Sequence, residues 1–188
     1  MGTLYTIGHS TRSFEELLSA LKAHEINLLV DVRSIPMSRR LPQFNREALN
    51  STLPQHGIEY RWMPPLGGRR KRTFPKGESP NIALRSDSFR NYADYMLTPE
   101  FAAGAAELLS LAAAKRVAYM CAERLWFRCH RMMISDWLTA HGHMVLHIDD
   151  ERPPKPHQLM REARVDGDRL LYDRGETAPI FAESPSSD

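Results

Sequence analysis

The chain has 188 residues, which suits one domain with a full hydrophobic core. Hydrophobic residues at 42% and charged residues at 26% are ordinary for a globular protein and exclude a disordered or collagen-like chain. The sequence shows neither an apolar run of the roughly 20 residues that a membrane helix needs nor a basic N-terminal stretch leading into an apolar one. We therefore expect no membrane partner and no secretory signal.

Cysteine content and charge give two further expectations. Two cysteines do not make a disulfide framework, so we expect a reducing, cytoplasmic setting. The net charge is +2, but residues 1–90 carry 14 Lys and Arg against 8 Asp and Glu. This surplus predicts a local anion-binding surface and is less than a dedicated nucleic-acid coat usually carries.

Strands and helices are predicted to alternate along the chain. Ser13 and Glu16 form a capping box at the start of one amphipathic helix, and residues 26–34 are the apolar run of a strand covered on both faces. In chain order, the predicted elements are a strand over 4–10, a helix over 13–25, a strand over 26–34, a helix over 45–57, a strand over 57–68, helices over 88–97 and 99–115, a strand over 116–120, a helix within 124–142 and a strand over 143–148.

This order predicts an α/β domain, with a mostly parallel sheet of about five strands and helices on both faces. We assign residues 1–150 to that domain and residues 151–188 to a C-terminal extension that packs on it. The extension is predicted to hold one helical turn and a short strand, and its end over 176–188 is predicted to be disordered.

Polar residues follow four of the predicted strands at their carboxyl ends. Strand by strand, they are His9 with Ser10, Asp31 with Arg33, Gly67 with Gly68, and Cys121 with Glu123. Because ligands of parallel α/β folds bind beyond these ends, we expect one functional cleft at this edge.

Cys121 is the candidate reactive group of the cleft. Between a strand end and a helix start, backbone N–H groups and the helix dipole favour an anion, and Arg128 and Arg131 add positive charge. Both effects lower the pKa of a thiol and promote the nucleophilic thiolate. The alternative is an ordinary buried cysteine.

The other polar residues have roles suggested by their chemistry. His9 and Glu123 are candidates for proton transfer. Asp31 and Arg33 lie on one face of their strand, either as a structural ion pair or to orient a substrate.

Two basic loops are candidate anion contacts. Ser38 and Arg39 suit phosphate binding. The run RRKR over 69–72 is predicted to be a solvated loop, with nucleic-acid contact as the alternative, since its aromatic neighbours are few.

A metal site is an alternative use of the sulfur-containing segment. Cys121, Cys129 and His130 are suitable ligands, but their spacing differs from the two close ligand pairs of structural zinc. We expect Cys129 and His130 to be neighbours on a helix behind the cleft, apart from Cys121, with His130 bonded to a backbone carbonyl. No cofactor is expected, and a bound metal is the alternative.

The segment also resembles the cysteine phosphatases and the rhodanese sulfurtransferases, which place a cysteine at a strand end in an anion-binding loop. It departs from the phosphatase signature, because six residues without a glycine separate Cys121 from Arg128. Without glycine, the backbone does not curl easily around a phosphate.

Four motifs together resemble a bacterial and archaeal family called domain of unknown function 488. They are TIGHST, VDVRSIPMSRR with a following Phe44, LGG, and CAERLWFRCHR before a closing HI strand, and the resemblance spans residues 3–150. It implies no settled activity, although members are sometimes labelled as DNA-repair-associated. The motif positions are His9, Ser10, Asp31, Arg33, Ser38, Arg39, Gly67, Gly68, Cys121, Glu123, Cys129, His130 and Arg131.

The leading hypothesis is a small cytoplasmic enzyme, a cysteine-dependent transferase or hydrolase, acting on a phosphorylated or nucleic-acid-derived substrate. Cys121 would be the nucleophile, Glu123 and His9 would handle protons, and Arg33 and Arg39 would bind the anion. The alternatives are a nucleic-acid-binding or DNA-repair accessory module and a metal-binding protein. The sequence leaves the oligomeric state open.

Overall fold

The structure, a computed structural model, describes residues 2–175, so the predicted disordered end over 176–188 lies outside the described residues. The helices are α1 (Phe14–Ala23), α2 (Arg46–Thr52), α3 (Asp87–Met96), α4 (Pro99–Ala114) and α5 (Arg131–Ala140). The strands are β1 (Thr3–Gly8), β2 (Leu28–Asp31), β3 (Glu59–Trp62), β4 (Val117–Cys121), β5 (Met144–His147), β6 (Lys155–Pro156), β7 (Ala163–Asp166) and β8 (Arg169–Tyr172).

One mixed sheet organises the molecule in the order β3-β2-β4-β1-β5-β6. Its first five strands are parallel and β6 joins antiparallel, so the sheet has one strand more than expected. The α/β prediction with a mostly parallel sheet is confirmed.

The C-terminal extension differs from its prediction. Residues 151–175 contain three short strands and no helical turn. Gly167 adopts a φ of 60°, which allows the tight turn of the β7–β8 hairpin. The hairpin replaces the predicted helical turn and buries Leu170 and Tyr172.

Capping and breaking residues set the ends of the helices that cover one face. Ser13 accepts a hydrogen bond from the Glu16 amide at 3.1 Å, and the Glu16 carboxylate accepts one from the Ser13 amide at 2.6 Å. This confirms the capping box, a device that contributes about 1 kcal/mol. Helix α2 is shorter than predicted, because Pro54 lacks an N–H and a 3₁₀ turn, Leu53–His56, replaces its last residues.

Two hydrophobic clusters cover the two faces of the sheet. Helices α1 and α2 pack on one face, while α3, α4, α5 and the β7–β8 hairpin pack on the other. None of the helices within residues 2–175 has the length and apolar character to cross a membrane.

Strand register brings the candidate site residues to one edge. Gly8 lies beside Cys121, and Asp31 lies beside Met120, so β1, β2 and β4 end together. The loop after β4 crosses the end of β1 so closely that a Cβ on Gly8 would lie 1.9 Å from the carbonyl oxygen of Glu123.

Candidate active site

An open cleft of about 330 Å³ lies at the carboxyl ends of β2 and β4. Its wall comes from the ends of these strands, the loop after β3, helix α3 and the segment that links β4 to α5. The charged side chains of the wall are Arg33, Arg69, Arg128 and Glu123. Because Arg33 is paired with the buried Asp31, the surplus comes from Arg69 and Arg128 against Glu123, and it favours an anionic ligand.

Both cysteines belong to this wall. Cys121 ends β4 and is 3% exposed, whereas Cys129 is partly exposed, and their sulfurs are 3.2 Å apart. The expectation that Cys129 lies on a helix behind the cleft is therefore wrong. The chain folds back through a 3₁₀ turn, Trp126–Arg128, and Cys129 is extended (φ −142°, ψ 171°), because α5 begins only at Arg131.

Arg131 contacts both sulfurs from the side away from the cleft. Its Nε donates to Sγ of Cys121 at 3.1 Å and to Sγ of Cys129 at 3.3 Å, and its side chain is 1% exposed. The backbone amide of Arg131, in the first turn of α5, also donates to Cys129 at 3.4 Å. The helix start thus favours charge on Cys129, and Arg131, which was expected to contact the substrate, lies outside the wall of this cleft.

A hydrogen bond links the two sulfurs and ties their pKa values together. The hydrogen bond from Cys121, together with His130 and Arg131, holds the pKa of Cys129 well below its ordinary value, although burial opposes this. The same hydrogen bond and burial raise the pKa of Cys121. These directions favour the thiolate on Cys129, the more exposed of the two residues.

His9 lies behind the cleft wall. Its Nδ1–H donates to the Ser10 carbonyl at 2.9 Å, and its Nε2 accepts from Arg33 at 3.2 Å, so both nitrogens are engaged. Burial, reinforced by the charge of Arg33, lowers the pKa of His9 to about 4. Ser10 is held through its amide, which donates to the Ala122 carbonyl at 3.0 Å. In this arrangement His9 orients Arg33 and has no nitrogen available to a substrate.

Asp31 and Arg33 form a buried bidentate ion pair. Arg33 donates through Nε to one carboxylate oxygen at 2.8 Å and through Nη2 to the other at 2.5 Å. Tyr60 donates to the same carboxylate at 2.7 Å, and Arg33 also donates to the Phe44 carbonyl at 2.7 Å. These bonds fix the arginine while one part of it remains in the cleft wall.

The two glycines after β3 permit close packing. A Cβ on Gly68 would lie 2.4 Å from Nδ1 of His130, and one on Gly67 would lie 2.7 Å from Oγ of Ser34. His130 donates from Nε2 to the Val32 carbonyl at 2.8 Å, the kind of backbone bond expected of it. Gly68 is in the cleft wall, whereas Gly67 supports it from behind.

The two basic loops have different positions. Ser38 accepts from the Leu41 amide at 3.2 Å within its own turn, and Arg39 is exposed, and neither belongs to the cleft wall. In the second loop, Arg69 lines the cleft, but Arg70 donates to backbone carbonyls and stacks 3.7 Å above the Tyr95 ring.

A chain of buried polar side chains lies behind Arg131 and was missed by sequence reasoning. Arg131 donates to Oγ1 of Thr6 (2.9 Å), and hydrogen bonds then link Thr6 with Nδ1 of His147 (3.1 Å), Nε2 of His147 with Nδ1 of His157 (2.9 Å) and Nε2 of His157 with Asp136 (2.8 Å). The signal available in the sequence was a polar residue inside each of two apolar strands, Thr6 in β1 and His147 in β5.

The metal alternative has a geometric basis and an electrostatic obstacle. The ligand atoms of Cys121, Cys129 and His130 lie within 4.8 Å of one another. However, the guanidinium of Arg131 already contacts both sulfurs, so a metal cation would sit beside a buried positive charge.

Comparison with known proteins identifies a family. A family model described as Domain of unknown function DUF488 matches residues 13–138. No curated protein matches the chain, and no solved structure does.

Proposed function

The chain belongs to the DUF488 family, and we propose that it is a small cysteine-dependent enzyme acting on a small phosphorylated or nucleic-acid-derived substrate. The observation that carries this proposal is the contact of the buried Arg131 with both sulfurs, at 3.1 and 3.3 Å, in the wall of a basic cleft. A cation beside a thiolate keeps it ionised at neutral pH, and the thiolate is the nucleophilic form.

Cys129 is the nucleophile in this proposal, which revises the assignment to Cys121. Cys129 is partly exposed in the cleft wall, accepts hydrogen bonds from Arg131 and is hydrogen-bonded to Cys121. In this proposal Cys121 is the donor to Cys129 and holds the proton of the pair. Glu123, which is exposed in the cleft wall, is the accessible group for proton transfer.

The charge and size of the cleft support this substrate class. Arg69 and Arg128 extend from its wall, and Arg33 is held in place by Asp31. A volume of about 330 Å³ lies at the lower end of the range for small-molecule sites. A phosphate group near the arginines would place an electrophilic centre within reach of Cys129.

Alkylation of Cys129 by iodoacetamide, with and without added anions, tests the proposal. Inorganic phosphate and nucleoside monophosphates should slow alkylation in a saturable way, and Arg128→Ala should weaken this protection. Turnover of a protecting compound should require Cys129 and be lost in Cys129→Ser. If no phosphate compound protects Cys129 at millimolar concentration, the substrate class is wrong.

A further inference from the structure

We propose that Cys129 and Cys121 form a redox pair that reduces small anionic disulfides, with Cys129 attacking the substrate and Cys121 closing the protein disulfide. This activity rests on the same thiolate as the proposed function. It requires in addition that the second cysteine be within reach of the first. Two features of the cleft support the proposal.

The first feature is the separation of the two sulfurs. They are 3.2 Å apart, and a disulfide bond is about 2.05 Å long, so closure needs a shift of roughly 1 Å. Cys121 ends a strand, whereas Cys129 lies in an irregular segment between a 3₁₀ turn and α5. The irregular segment can supply this movement without breaking the sheet.

The second feature is the unequal access to the two sulfurs. Cys121 is 3% exposed, whereas Cys129 is partly exposed and is the more accessible of the two to a substrate disulfide. The order of the two steps follows, because the accessible sulfur must attack first and the buried one can then attack only Cys129. Arg69 and Arg128 in the wall favour a substrate with negative charge.

The reaction balances in two steps. The Cys129 thiolate attacks one sulfur of the substrate, a mixed disulfide forms, the substrate S–S bond breaks and a first thiolate leaves with the electron pair. Cys121 then gives its proton to that thiolate and attacks Cys129, so the protein disulfide forms and a second thiolate leaves. The substrate gains two electrons, and the cysteine pair loses them.

Arg131 makes the pair reversible. In the reduced protein its buried guanidinium faces a thiolate, whereas in the disulfide form this counter-charge is lost. A buried charge without its partner is unfavourable, so Arg131 favours return to the reduced state. An excess of a small thiol, such as dithiothreitol, restores the pair by the reverse of both steps.

The test uses dithiobis(2-nitrobenzoate), a small dianionic disulfide, on the native reduced full chain and on two matched variants. The wild type should release two equivalents of coloured thiolate, retain no adduct and lose the mass of two hydrogens. Cys121→Ser should release one equivalent and retain the other as an adduct. Cys129→Ser should release none on the wild-type time scale.

Each contrary result has a distinct meaning. If the wild type retains adducts and gains mass, the redox pair is wrong while the nucleophile of the proposed function stands. If Cys121→Ser forms no adduct, both proposals fail. Equal rates with two aliphatic disulfides, the dianionic 3,3′-dithiodipropionate and the uncharged 2-hydroxyethyl disulfide, would refute the preference for anionic substrates, since their leaving thiols are similar.

Discussion

Arg131 separates two regions that differ in access and in charge. On its front side, the sulfurs of Cys121 and Cys129 face an open cleft. On its rear side, Thr6 and His147 begin a buried chain of hydrogen bonds that ends at Asp136. The front side places two ionisable sulfurs in direct contact with Arg131, whereas the rear side places the hydroxyl of Thr6 next to it.

The difference shows how one buried arginine serves two purposes. Each polar side chain on the rear side has a hydrogen-bond partner, so the rear side fixes the orientation of the guanidinium. The front contact favours a thiolate in the wall of the cleft. We infer that the rear side determines stability, while the front side determines reactivity.

Arg131→Met should have the largest effect, because it removes the group that joins the two regions. The carbonyls of Glu123 and Arg124 and the hydroxyl of Thr6 lose their donor, so we expect a destabilisation of about 3 kcal/mol. The pKa of Cys129 should rise, and its alkylation rate at neutral pH should fall by more than about tenfold, since each unit changes the thiolate fraction up to tenfold.

Arg128→Met is the matched control, since this arginine is exposed in the cleft wall. It should leave the urea unfolding midpoint nearly unchanged. Equal alkylation rates for Arg131→Met and the wild type would contradict a thiolate stabilised by Arg131.

Asp136→Asn tests whether the rear side acts on stability alone. Asp136 accepts from His157, Tyr172 and the Met160 amide, so loss of its charge should cost about 1–3 kcal/mol. Two imidazoles and a hydroxyl separate it from Arg131, so the pH profile of Cys129 alkylation should not move. Asp94→Asn, another buried carboxylate, bonded to Ser79 and Asn81, is the control. A shifted alkylation profile in Asp136→Asn alone would show that the two regions are coupled.

Acid should lower the stability of the folded chain through two buried, neutral histidines, His9 behind the cleft wall and His147 on the rear side of Arg131. Burial lowers the pKa of His9 to about 4 and that of His147 to about 3, from 6.5. The unfolded chain therefore binds more protons below pH 6.5, and stability falls as the pH drops from 6.5 towards these values. Each histidine contributes a loss of at most about 1.4 kcal/mol per pH unit.

Urea unfolding between pH 7 and pH 4.5 measures this loss. His147→Gln should flatten the pH dependence of stability relative to the wild type, although it also lowers stability at neutral pH. His56→Gln, at an exposed position, should leave the slope unchanged. An unchanged slope in His147→Gln would contradict a neutral buried imidazole.

Local patterns made the fold predictable. Apolar periodicity, the Ser13–Glu16 capping box and the alternation of elements give the parallel sheet and its carboxyl edge. Cys121, Glu123 and Gly68 were placed at that edge from their positions after strands, and all three are in the cleft wall.

Contacts between distant or irregular segments could not be predicted from the sequence. The approach of Cys129 to Cys121 depends on an irregular segment without periodicity, which was taken for the start of a helix. The bond between Thr6 and His147 depends on the register of β1 with β5, which brings together residues 141 positions apart. Neither spacing nor composition encodes such a register.

The smallest effect is expected from Lys71→Ala with Arg72→Ala, since both side chains are exposed and outside the cleft wall. Stability and Cys129 alkylation should match the wild type.

The nucleic-acid hypothesis predicts that this double variant loses binding, because it requires salt-sensitive affinity for DNA or RNA that falls when these charges are removed. Fluorescence anisotropy with a labelled oligonucleotide at two salt concentrations separates the two. Since Arg70 is held by backbone carbonyls and Tyr95, and Arg69 lines the cleft, Lys71 and Arg72 are the cations of this run left to such a contact. Loss of binding in this double variant would assign a nucleic-acid contact to the loop over 69–72. It would leave the roles of the two sides of Arg131 unchanged.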